Sequence, residues 1–267
     1  MKTIANMISM KDKRVLITGA GGNIGQKMAE VVVELGGDLI LLDRLGSSLH
    51  ELSINLKNIK KVNIECIFCD LEVEAERQKL ISSLISMNIN LNVLINNAAF
   101  VGDTKLEGWS TNFENQSINS WKRALEINLT SAFELSKGLS PLLKKTKNAS
   151  IINISSIYSA LGPDYSLYEN TEMSNPAAYG VSKAGLNQLT RWLSTTLAPN
   201  IRVNTISPGG VFRNQPESFV KKYKQRTPLG RMATEDDFKG IVAYLASDLS
   251  LYTTGQNIFV DGGWTAW

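Results

Sequence analysis

Two residues that can exchange a proton lie four positions apart in the chain, Tyr179 and Lys183. Residues with this spacing share one face of a helix. A free phenol has a pKa of about 10 and is a poor base at neutral pH until a neighbouring cation favours the phenolate. Such a pair arises readily by chance, as a buried aromatic beside a solvated lysine, so its meaning depends on its surroundings. Ser155 and Ser156, which end an apolar run, are candidate hydroxyl partners.

A glycine-rich junction near the N-terminus indicates a dinucleotide site. Thr18 to Gly25 reads TGAGGNIG and lies between an apolar run, Val15 to Ile17, and an amphipathic segment. Glycines at this spacing allow a tight turn and close approach to a pyrophosphate, while the new helix presents free N–H groups. Glycine clusters also make ordinary turns, so the flanking strand and helix carry the interpretation. The predicted cofactor contacts here are Gly19, Gly22, Asn23, Ile24 and Gly25.

The cofactor preference rests on the end of a second apolar run, Leu39 to Leu42. Asp43 follows it, and a carboxylate there accepts both ribose hydroxyls and repels a 2′-phosphate, which favours NAD. Arg44 acts in the opposite direction, because a guanidinium can hold that phosphate. Alternatively, Asp43 is a helix N-cap or a loop acid. The sequence therefore predicts NAD, with NADP as the less favoured cofactor.

The elements that must position these residues follow a regular alternation. The chain has 267 residues, 43% of them hydrophobic and 20% charged, which suits one sizeable domain over 1–267. Segments of helical period separate apolar runs, which lie near 14–18, 38–43, 62–69, 91–96, 149–155, 200–206 and 256–260. This pattern predicts an α/β, single-domain Rossmann-type doubly wound parallel sheet of about seven strands with helices on both faces.

Two segments stand outside that alternation. Residues 1–12 are interpreted as a flexible leader, and 160–176, rich in Tyr, Asn, Ser, Glu and Pro, as a surface loop near the site. The leader is not a convincing signal peptide, and no apolar run approaches the ~18 residues of a membrane span. We therefore expect a cytoplasmic protein that does not enter membranes.

The net charge and the positions of the cysteines argue against a nucleic-acid-binding protein and against a metal or redox site. The net charge of +3 is small, and no basic run is interleaved with aromatic residues, so we expect no nucleic-acid partner. Cys66 and Cys69 form a C-x-x-C within a strand-like run, where side chains three apart point to opposite faces. His50 is the only histidine in the chain, so a zinc site lacks ligands and no metal is expected.

In order and spacing, these motifs resemble the short-chain dehydrogenase/reductase family from Arg14 to Gly263. The segments that carry the resemblance are TGAGGNIG, CDL, NNAA, EINL, SPGG and TGQNIFVDGG. The resemblance implies catalytic roles for Asn128, Ser156, Tyr179 and Lys183. It implies further cofactor contacts at Asp70, Leu71, Asn97, Ala98, Tyr179, Lys183, Pro208, Gly209 and Val211.

The roles that the resemblance implies agree with the chemistry of the side chains. Tyr179 would exchange a proton with the substrate oxygen while Ser156 hydrogen-bonds the same oxygen. Lys183 would favour the phenolate and hold the nicotinamide ribose. Asn128, by similarity, would position a water that links Lys183 to solvent, although it can equally be a polar residue that bends a helix. Ser155 competes with Ser156, but only one of the two can face the cofactor.

The chain departs from the usual family pattern on the substrate side. Asn23 replaces a common glycine, and 23 positions separate Ser156 from Tyr179 where about a dozen are usual, so residues are inserted beside the pocket. Arg213 stands where a threonine is common and can grip an anion, together with the basic residues Lys221, Lys222, Lys224 and Arg226. Those residues can equally form a solvated helix face. Tyr165 and Tyr168 in the inserted loop are candidate contacts to a sugar.

The sequence thus predicts an NAD(P)-dependent oxidoreductase that acts on an alcohol/ketone pair, with a phosphorylated or nucleotide-linked sugar derivative as the favoured substrate. The inserted loop and the ending DGGWTAW also resemble reductases of bacterial surface-sugar and flagellin-glycan pathways. One alternative is a 3-oxoacyl-thioester reductase, and another is a catalytically silent NAD-binding regulator. By family resemblance we expect a homotetramer.

Overall fold

The strands form a single parallel sheet in the computed structural model, which describes residues 2–101 and 105–267. Their bounds are β1 Arg14–Thr18, β2 Asp38–Asp43, β3 Ile64–Phe68, β4 Val93–Asn96, β5 Ala149–Ile154, β6 Ile201–Pro208 and β7 Asn257–Val260. The order across the sheet is β3-β2-β1-β4-β5-β6-β7, and every neighbouring pair is parallel. The predicted fold class is confirmed, and each strand overlaps one of the predicted apolar runs.

Helices cover both faces of the sheet, which explains why the central strands are almost continuously apolar. Their bounds are α1 Ile4–Ile8, α2 Asn23–Glu34, α3 Leu49–Ile59, α4 Glu74–Ser86, α5 Ile118–Leu125, α6 Ser131–Lys144, α7 Ala177–Thr196, α8 Glu217–Arg226 and α9 Lys239–Ala246. One core layer joins α2, α3 and α9 to the sheet, and the other joins α4, α6 and α7. Val15, Leu16 and Ile17 of β1 have no exposed surface.

The sheet order reverses direction at β1, because β2 and β3 extend to one side and β4 to β7 to the other. In open α/β sheets, ligands bind in the crevice at such a switch point, beyond the carboxyl ends of the strands. The loops that follow β1, β4, β5 and β6 meet at this edge of the sheet. The fold therefore gathers the glycine turn and the candidate catalytic residues on one side.

The packing places two segments that the sequence analysis singled out. Within the leader predicted for 1–12, α1 is helical, and Met10 is fully buried with its N–H bonded to the Leu35 carbonyl at 2.9 Å. Met1 lies outside the described residues. Cys66 packs into the α2/α3 layer and Cys69 into the opposite layer, as the strand pattern predicts.

No group of three or more His, Cys, Asp and Glu side chains with metal-site geometry occurs in the part of the chain that the structure describes. Within the same residues, every helix is too short or too polar to cross a bilayer.

Candidate active site

A cleft of about 860 Å³ lies beyond the carboxyl ends of β1, β4, β5 and β6. Nearly all of the predicted site residues line it: Gly19, Gly22, Asn23, Ile24, Gly25, Asp43, Arg44, Asp70, Leu71, Asn97, Ala98, Ser156, Tyr168, Tyr179, Lys183, Pro208, Gly209, Val211 and Arg213. Asn128 and Tyr165 do not belong to the lining. One cavity thus brings together residues that are up to 194 positions apart in the chain, from Gly19 to Arg213.

The glycine turn leaves no room for side chains at two of its positions. Gly19 has a φ of +63°, which L side chains rarely adopt. A Cβ at Gly25 would lie 2.3 Å from the Gly19 carbonyl oxygen, so helix α2 packs directly on the turn. No side chain caps the N-terminus of α2 at Gly22, and its first N–H groups lie at the cleft. This cradle fits the pyrophosphate of a dinucleotide.

Asp43 and Arg44 lie together at the end of β2. The Asp43 carboxylate accepts the backbone N–H groups of Gly21 and Arg44, each at 2.8 Å. It therefore ties the glycine turn to β2 while it lines the cleft. Arg44 is exposed at the same edge. Both signs of charge are present where a dinucleotide would place its adenosine ribose.

The loops after β3 and β4 are held by hydrogen bonds to backbone atoms. The Asn97 amide donates to the carbonyl oxygens of Thr18 and Gly19 at 2.9 and 3.0 Å. The Thr18 hydroxyl accepts the N–H groups of Asn97 and Ala98 at 3.0 and 2.9 Å. Asp70 accepts the Glu72 N–H at 2.9 Å, which shapes the turn after β3. Asn97 therefore fixes the glycine turn from beneath, and Thr18 is a supporting residue that the sequence analysis missed.

Ser156, Tyr179 and Lys183 meet in the floor of the cleft. Ser156 follows β5, and Tyr179 and Lys183 occupy the first two turns of α7. The Ser156 hydroxyl accepts the Tyr158 N–H at 3.2 Å and lies near the Tyr179 phenol. The Ser155 hydroxyl instead donates to the Lys183 carbonyl at 2.9 Å. Ser156 is therefore the serine available to a substrate oxygen.

Lys183 is buried beneath the tyrosine. Its Nζ donates to the Ile154 carbonyl at 2.8 Å and lies 5.9 Å from the centre of the Tyr179 ring. Burial lowers the pKa of Lys183 from 10.5 to about 8, so the ammonium form still predominates at pH 7. The two side chains face the same cavity, as their spacing on one helix face predicts.

Burial is the main influence on the pKa of Tyr179 and raises it. The Ser156 hydroxyl opposes this rise, the nearby Tyr168 phenol adds to it, and the positive charge of Arg213 opposes it. The expectation that the neighbouring lysine makes this phenol acidic is not met in the structure, where burial dominates. The phenol is therefore protonated at neutral pH and has a proton to give.

Asn128 lies behind the cleft, within a π-helical segment, Glu126–Thr130, that joins α5 to α6. Its side chain accepts the Phe100 N–H at 2.6 Å and donates to the Phe100 carbonyl and the Ser182 hydroxyl at 3.2 and 2.9 Å. The amide thus ties the loop after β4 to helix α7. This buried network positions the helix that carries Tyr179 and Lys183.

The loop after β6 forms the wall opposite α2. A Cβ at Gly209 would lie 2.8 Å from the Asp261 Cα, so the loop packs closely on the segment after β7. Val211 pairs with Ala233 in an isolated parallel bridge. Arg213 follows, half exposed, and its Nε donates to the Glu235 carboxylate at 3.3 Å. Its guanidinium lines the cleft near enough to Tyr179 to influence the pKa of that phenol.

The inserted loop, residues 160–176, folds against α8. Arg226 donates to Asp164 at 2.7 Å and Lys222 to Glu169 at 2.8 Å. Tyr168 packs on Phe219 with ring centres 5.6 Å apart. None of the basic residues predicted as an anion-binding cluster, Lys221, Lys222, Lys224 and Arg226, lines the cleft.

For the four basic residues of α8, the structure favours the alternative interpretation, a helix face that lies outside the cleft lining. Two of them hold the loop against the helix, and Arg213 is the member of the predicted basic group that lines the cleft. Tyr165 is not among the residues that line the cleft, and it is 61% exposed.

The far end of the cleft is lined by residues that sequence reasoning missed. Tyr158, Phe219, Tyr223 and Met232 belong to one aromatic and apolar cluster there. The Tyr223 hydroxyl accepts the Gly210 N–H at 2.5 Å, and its ring stacks on Trp264 at 4.1 Å. The sequence could have indicated that Tyr158 lines the cleft, since it lies two residues after Ser156. The residues of α8 carried no such signal, because an apolar stripe on a helix is also typical of ordinary core packing.

Comparison with known proteins agrees with this geometry. Residues 19–265 match a family model described as enoyl-(acyl carrier protein) reductase. The chain belongs to the short-chain dehydrogenase/reductase family and is an NAD(P)-dependent oxidoreductase of that family.

Individual relatives are similar over nearly their whole length. A post-translational flagellin modification protein A of Campylobacter coli is 30% identical over 258 residues, covering 96% of this chain and 99% of the relative. A 3-oxoacyl-[acyl-carrier-protein] reductase of Aquifex aeolicus is 29% identical over 261 residues, covering 96% and 98%. A short-chain dehydrogenase of Leptospira borgpetersenii, crystallised with bound NAD⁺, is 34% identical with a TM-score of 0.84, covering 99% and 96%.

Proposed function

We propose that the protein transfers a hydride between a nicotinamide cofactor and an alcohol/ketone pair of a sugar derivative, one that is phosphorylated or nucleotide-linked. The observation that carries this proposal is that Ser156, Tyr179 and Lys183 line the same cleft as the uncapped N-terminus of α2. A cofactor whose pyrophosphate lies on that helix extends toward the three side chains. The nicotinamide supplies the hydride chemistry when bound, and the protein supplies orientation and a proton.

Each side chain of the floor has a distinct task in this proposal. Tyr179, protonated at neutral pH, gives its proton to the substrate oxygen during reduction and takes it back during oxidation. Ser156 donates a hydrogen bond to the same oxygen and orients it. The Lys183 ammonium holds the nicotinamide ribose and stabilises the phenolate left after proton transfer. Asn128 keeps α7 in register with the loop after β4 and supports the water link to Lys183.

We propose NAD as the preferred cofactor. Asp43 lines the cleft at the end of β2, where its carboxylate repels a 2′-phosphate, and Arg44 offsets part of that repulsion. The Leptospira relative, which is named as binding NAD⁺, supports the same preference. Turnover with NADH is expected to exceed turnover with NADPH, and Asp43→Ser should narrow the difference. A wild-type preference for NADPH would overturn this part of the proposal.

The substrate class rests on Arg213 and on the similarity to the flagellin modification protein. Arg213 brings a cation to the cleft near Tyr179, so an anionic group at a distance from the reacting carbon can bind there. That similarity also supports a place in surface-polysaccharide or flagellin-glycan biosynthesis. We further propose a cytoplasmic homotetramer, for which the support is family resemblance alone.

Fructose and fructose 6-phosphate test the anion, since they share one carbon skeleton and one carbonyl, and the Arg213 variant separates the effect of charge from the different ring forms of the two sugars. With NADH, kcat/KM is expected to be about tenfold higher for the phosphorylated ketose, the equivalent of about one charge-assisted hydrogen bond. Arg213→Gln should remove that advantage, while Lys221→Gln, which alters a basic residue outside the cleft lining, should keep it. Equal rates for the two ketoses would contradict the anionic-substrate proposal.

A second candidate is a 3-oxoacyl-thioester reductase, favoured by the similarity to the Aquifex relative. Acetoacetyl-CoA with NADPH tests it directly. If that thioester is turned over faster than every sugar ketone tested, the substrate is a 3-oxoacyl thioester and not a sugar derivative. A catalytically silent NAD-binding regulator would bind NADH but reduce neither the sugar ketone nor acetoacetyl-CoA. Tyr179→Phe would then have no effect on turnover.

A further inference from the structure

Two phenols meet at the substrate end of the cleft. Tyr158 comes from the short 3-10 turn Ile157–Ser159 just after Ser156, and Tyr168 from the turn Tyr165–Tyr168 in the inserted loop. Their hydroxyl oxygens lie 2.8 Å apart, and both side chains line the cleft. The inserted loop therefore delivers a hydroxyl directly beside the segment that carries Ser156.

One of the two phenolic protons is not used in the hydrogen bond between Tyr158 and Tyr168. Each phenol has a single O–H to donate. One of the two is used between the hydroxyls, whichever residue is the donor. The remaining contact, from Asn175 Nδ2 to the Tyr168 oxygen at 3.5 Å, supplies another donor and accepts none. Among residues 2–101 and 105–267, the second phenolic proton has no acceptor.

The surroundings keep both phenols neutral and partly buried. Burial raises the pKa of Tyr158 and of Tyr168 above their ordinary values, so each keeps its proton at physiological pH. Apolar neighbours, among them Leu161, Met173 and Phe219, surround the pair. A polar hydrogen placed in such surroundings costs free energy until an acceptor arrives. The acceptor must come from the cleft, since the pair lines it.

The pair also lies close to the reaction centre. Tyr168 is near enough to Tyr179 to raise the pKa of that phenol, and the Tyr158 N–H donates to the Ser156 hydroxyl. An oxygen bound by the pair would therefore belong to the same small molecule whose carbonyl faces Ser156 and Tyr179.

We propose that Tyr158 and Tyr168 form a specificity site that donates one hydrogen bond to a second oxygen of the substrate, on a carbon other than the reacting one. The inference rests on the proposed function and deepens it: the substrate is a hydroxyketone or polyol. A site built to bond such an oxygen discriminates against the analogue that lacks it, because a buried donor is then unpaired.

Cyclohexanone and its 2-, 3- and 4-hydroxy derivatives, with NADH and NADPH, test this inference. At least one hydroxyketone is expected to show kcat/KM about tenfold above that of cyclohexanone, the fold value of one net hydrogen bond. The position of the favoured hydroxyl then reports the distance between the pair and the reacting carbon. The double variant Tyr158→Phe/Tyr168→Phe should reduce the ratio toward 1, because it removes both phenolic protons, whereas each single variant leaves one O–H that no longer has a partner in the pair.

Tyr165→Phe is the matched control, since it removes a phenol from the same loop but outside the cleft lining. It is expected to keep the wild-type ratio. The inference is overturned if no hydroxyketone exceeds cyclohexanone, or if the advantage survives in the double variant Tyr158→Phe/Tyr168→Phe. Absence of turnover with every ketone would instead refute the proposed function, and the inference with it.

Discussion

The two ends of the cleft differ in what holds them. At the cofactor end, side chains form hydrogen bonds with backbone atoms. Asn97 donates to the Gly19 carbonyl, and Asp43 accepts the Gly21 N–H. At the substrate end, partly exposed side chains that are 53 and 62 positions apart in sequence form ion pairs between the loop and α8. The first arrangement demands glycine and amide residues at set places. The ion pairs at the substrate end can be formed by many sequences, so we expect substrate specificity to differ between family members through this end of the cleft.

The largest effect is expected at the cofactor end. Gly25→Val places a side chain where even a Cβ lies 2.3 Å from the Gly19 oxygen, so α2 must move off the turn. We expect the dissociation constant for NADH to rise about 100-fold, or about 2.7 kcal/mol, and the free energy of unfolding to fall by about 3 kcal/mol. NADH fluorescence titration and chemical denaturation measure the two effects.

Gly240→Ala is the matched control, because a Cβ at Gly240 meets nothing within 4 Å. A helical glycine replaced by alanine should be neutral or gain up to about 1 kcal/mol. Unchanged NADH affinity in Gly25→Val would show that the glycine turn does not hold the cofactor, and the contrast between the two ends would fail.

An effect on stability of similar size but opposite sign is expected where the two ends meet, at Lys183. Burial lowers its pKa from 10.5 to about 8, which corresponds to about 3 kcal/mol of destabilisation by the charged form at neutral pH. Lys183→Met should therefore unfold less readily at pH 7 although it loses activity. Between pH 8 and 10.5 the folded lysine loses its proton before the unfolded one does, so wild-type stability rises with pH and the variant's advantage disappears.

Denaturation curves at pH 7, 9 and 10.5 check this expectation, with Lys137→Met as control. Lys137 is exposed on α6, and its replacement should alter stability by less than about 0.5 kcal/mol. A Lys183→Met protein that is less stable than wild type at pH 7 would show that the buried ammonium contributes to folding rather than opposing it.

The smallest effect is expected at the substrate end. Asp164→Asn weakens the ion pair with Arg226, in which both side chains are partly exposed, so stability should fall by no more than about 1 kcal/mol. The loop should then sample open positions, and KM for the ketone substrate should rise about twofold to fivefold, an effect of the same size. The dissociation constant for NADH should stay the same.

Glu172→Gln removes one negative charge from the same loop without breaking either ion pair between the loop and α8, and it should leave KM unchanged. Should Asp164→Asn alter NADH affinity as much as KM, the two ends would be coupled rather than separately held.

The same contrast explains what the sequence could predict. The seven strands could be located because strands buried on both faces must be apolar, and the glycine turn because a φ of +63° and a 2.3 Å approach exclude other residues. Tyr179 and Lys183 could be paired because helix geometry fixes their common face.

The substrate end could not be predicted in this way. Whether Lys222 and Arg226 face an anion or the loop depends on where Glu169 and Asp164 lie, and no periodicity specifies that. The meeting of Tyr158 with Tyr168 likewise depends on the path of an irregular loop. The pKa of Tyr179 also depends on burial, which a four-residue spacing does not report.

The central claim is that the Tyr179 phenol gives and takes the substrate proton in a cleft that binds the cofactor independently. Its most direct test is Tyr179→Phe, with kcat for the best ketone and the dissociation constant for NADH measured on the same protein. The account predicts that kcat falls by about 10²–10⁴-fold while NADH affinity changes by less than about twofold, or about 0.4 kcal/mol. An unchanged kcat, or a loss explained entirely by weaker NADH binding, would contradict it.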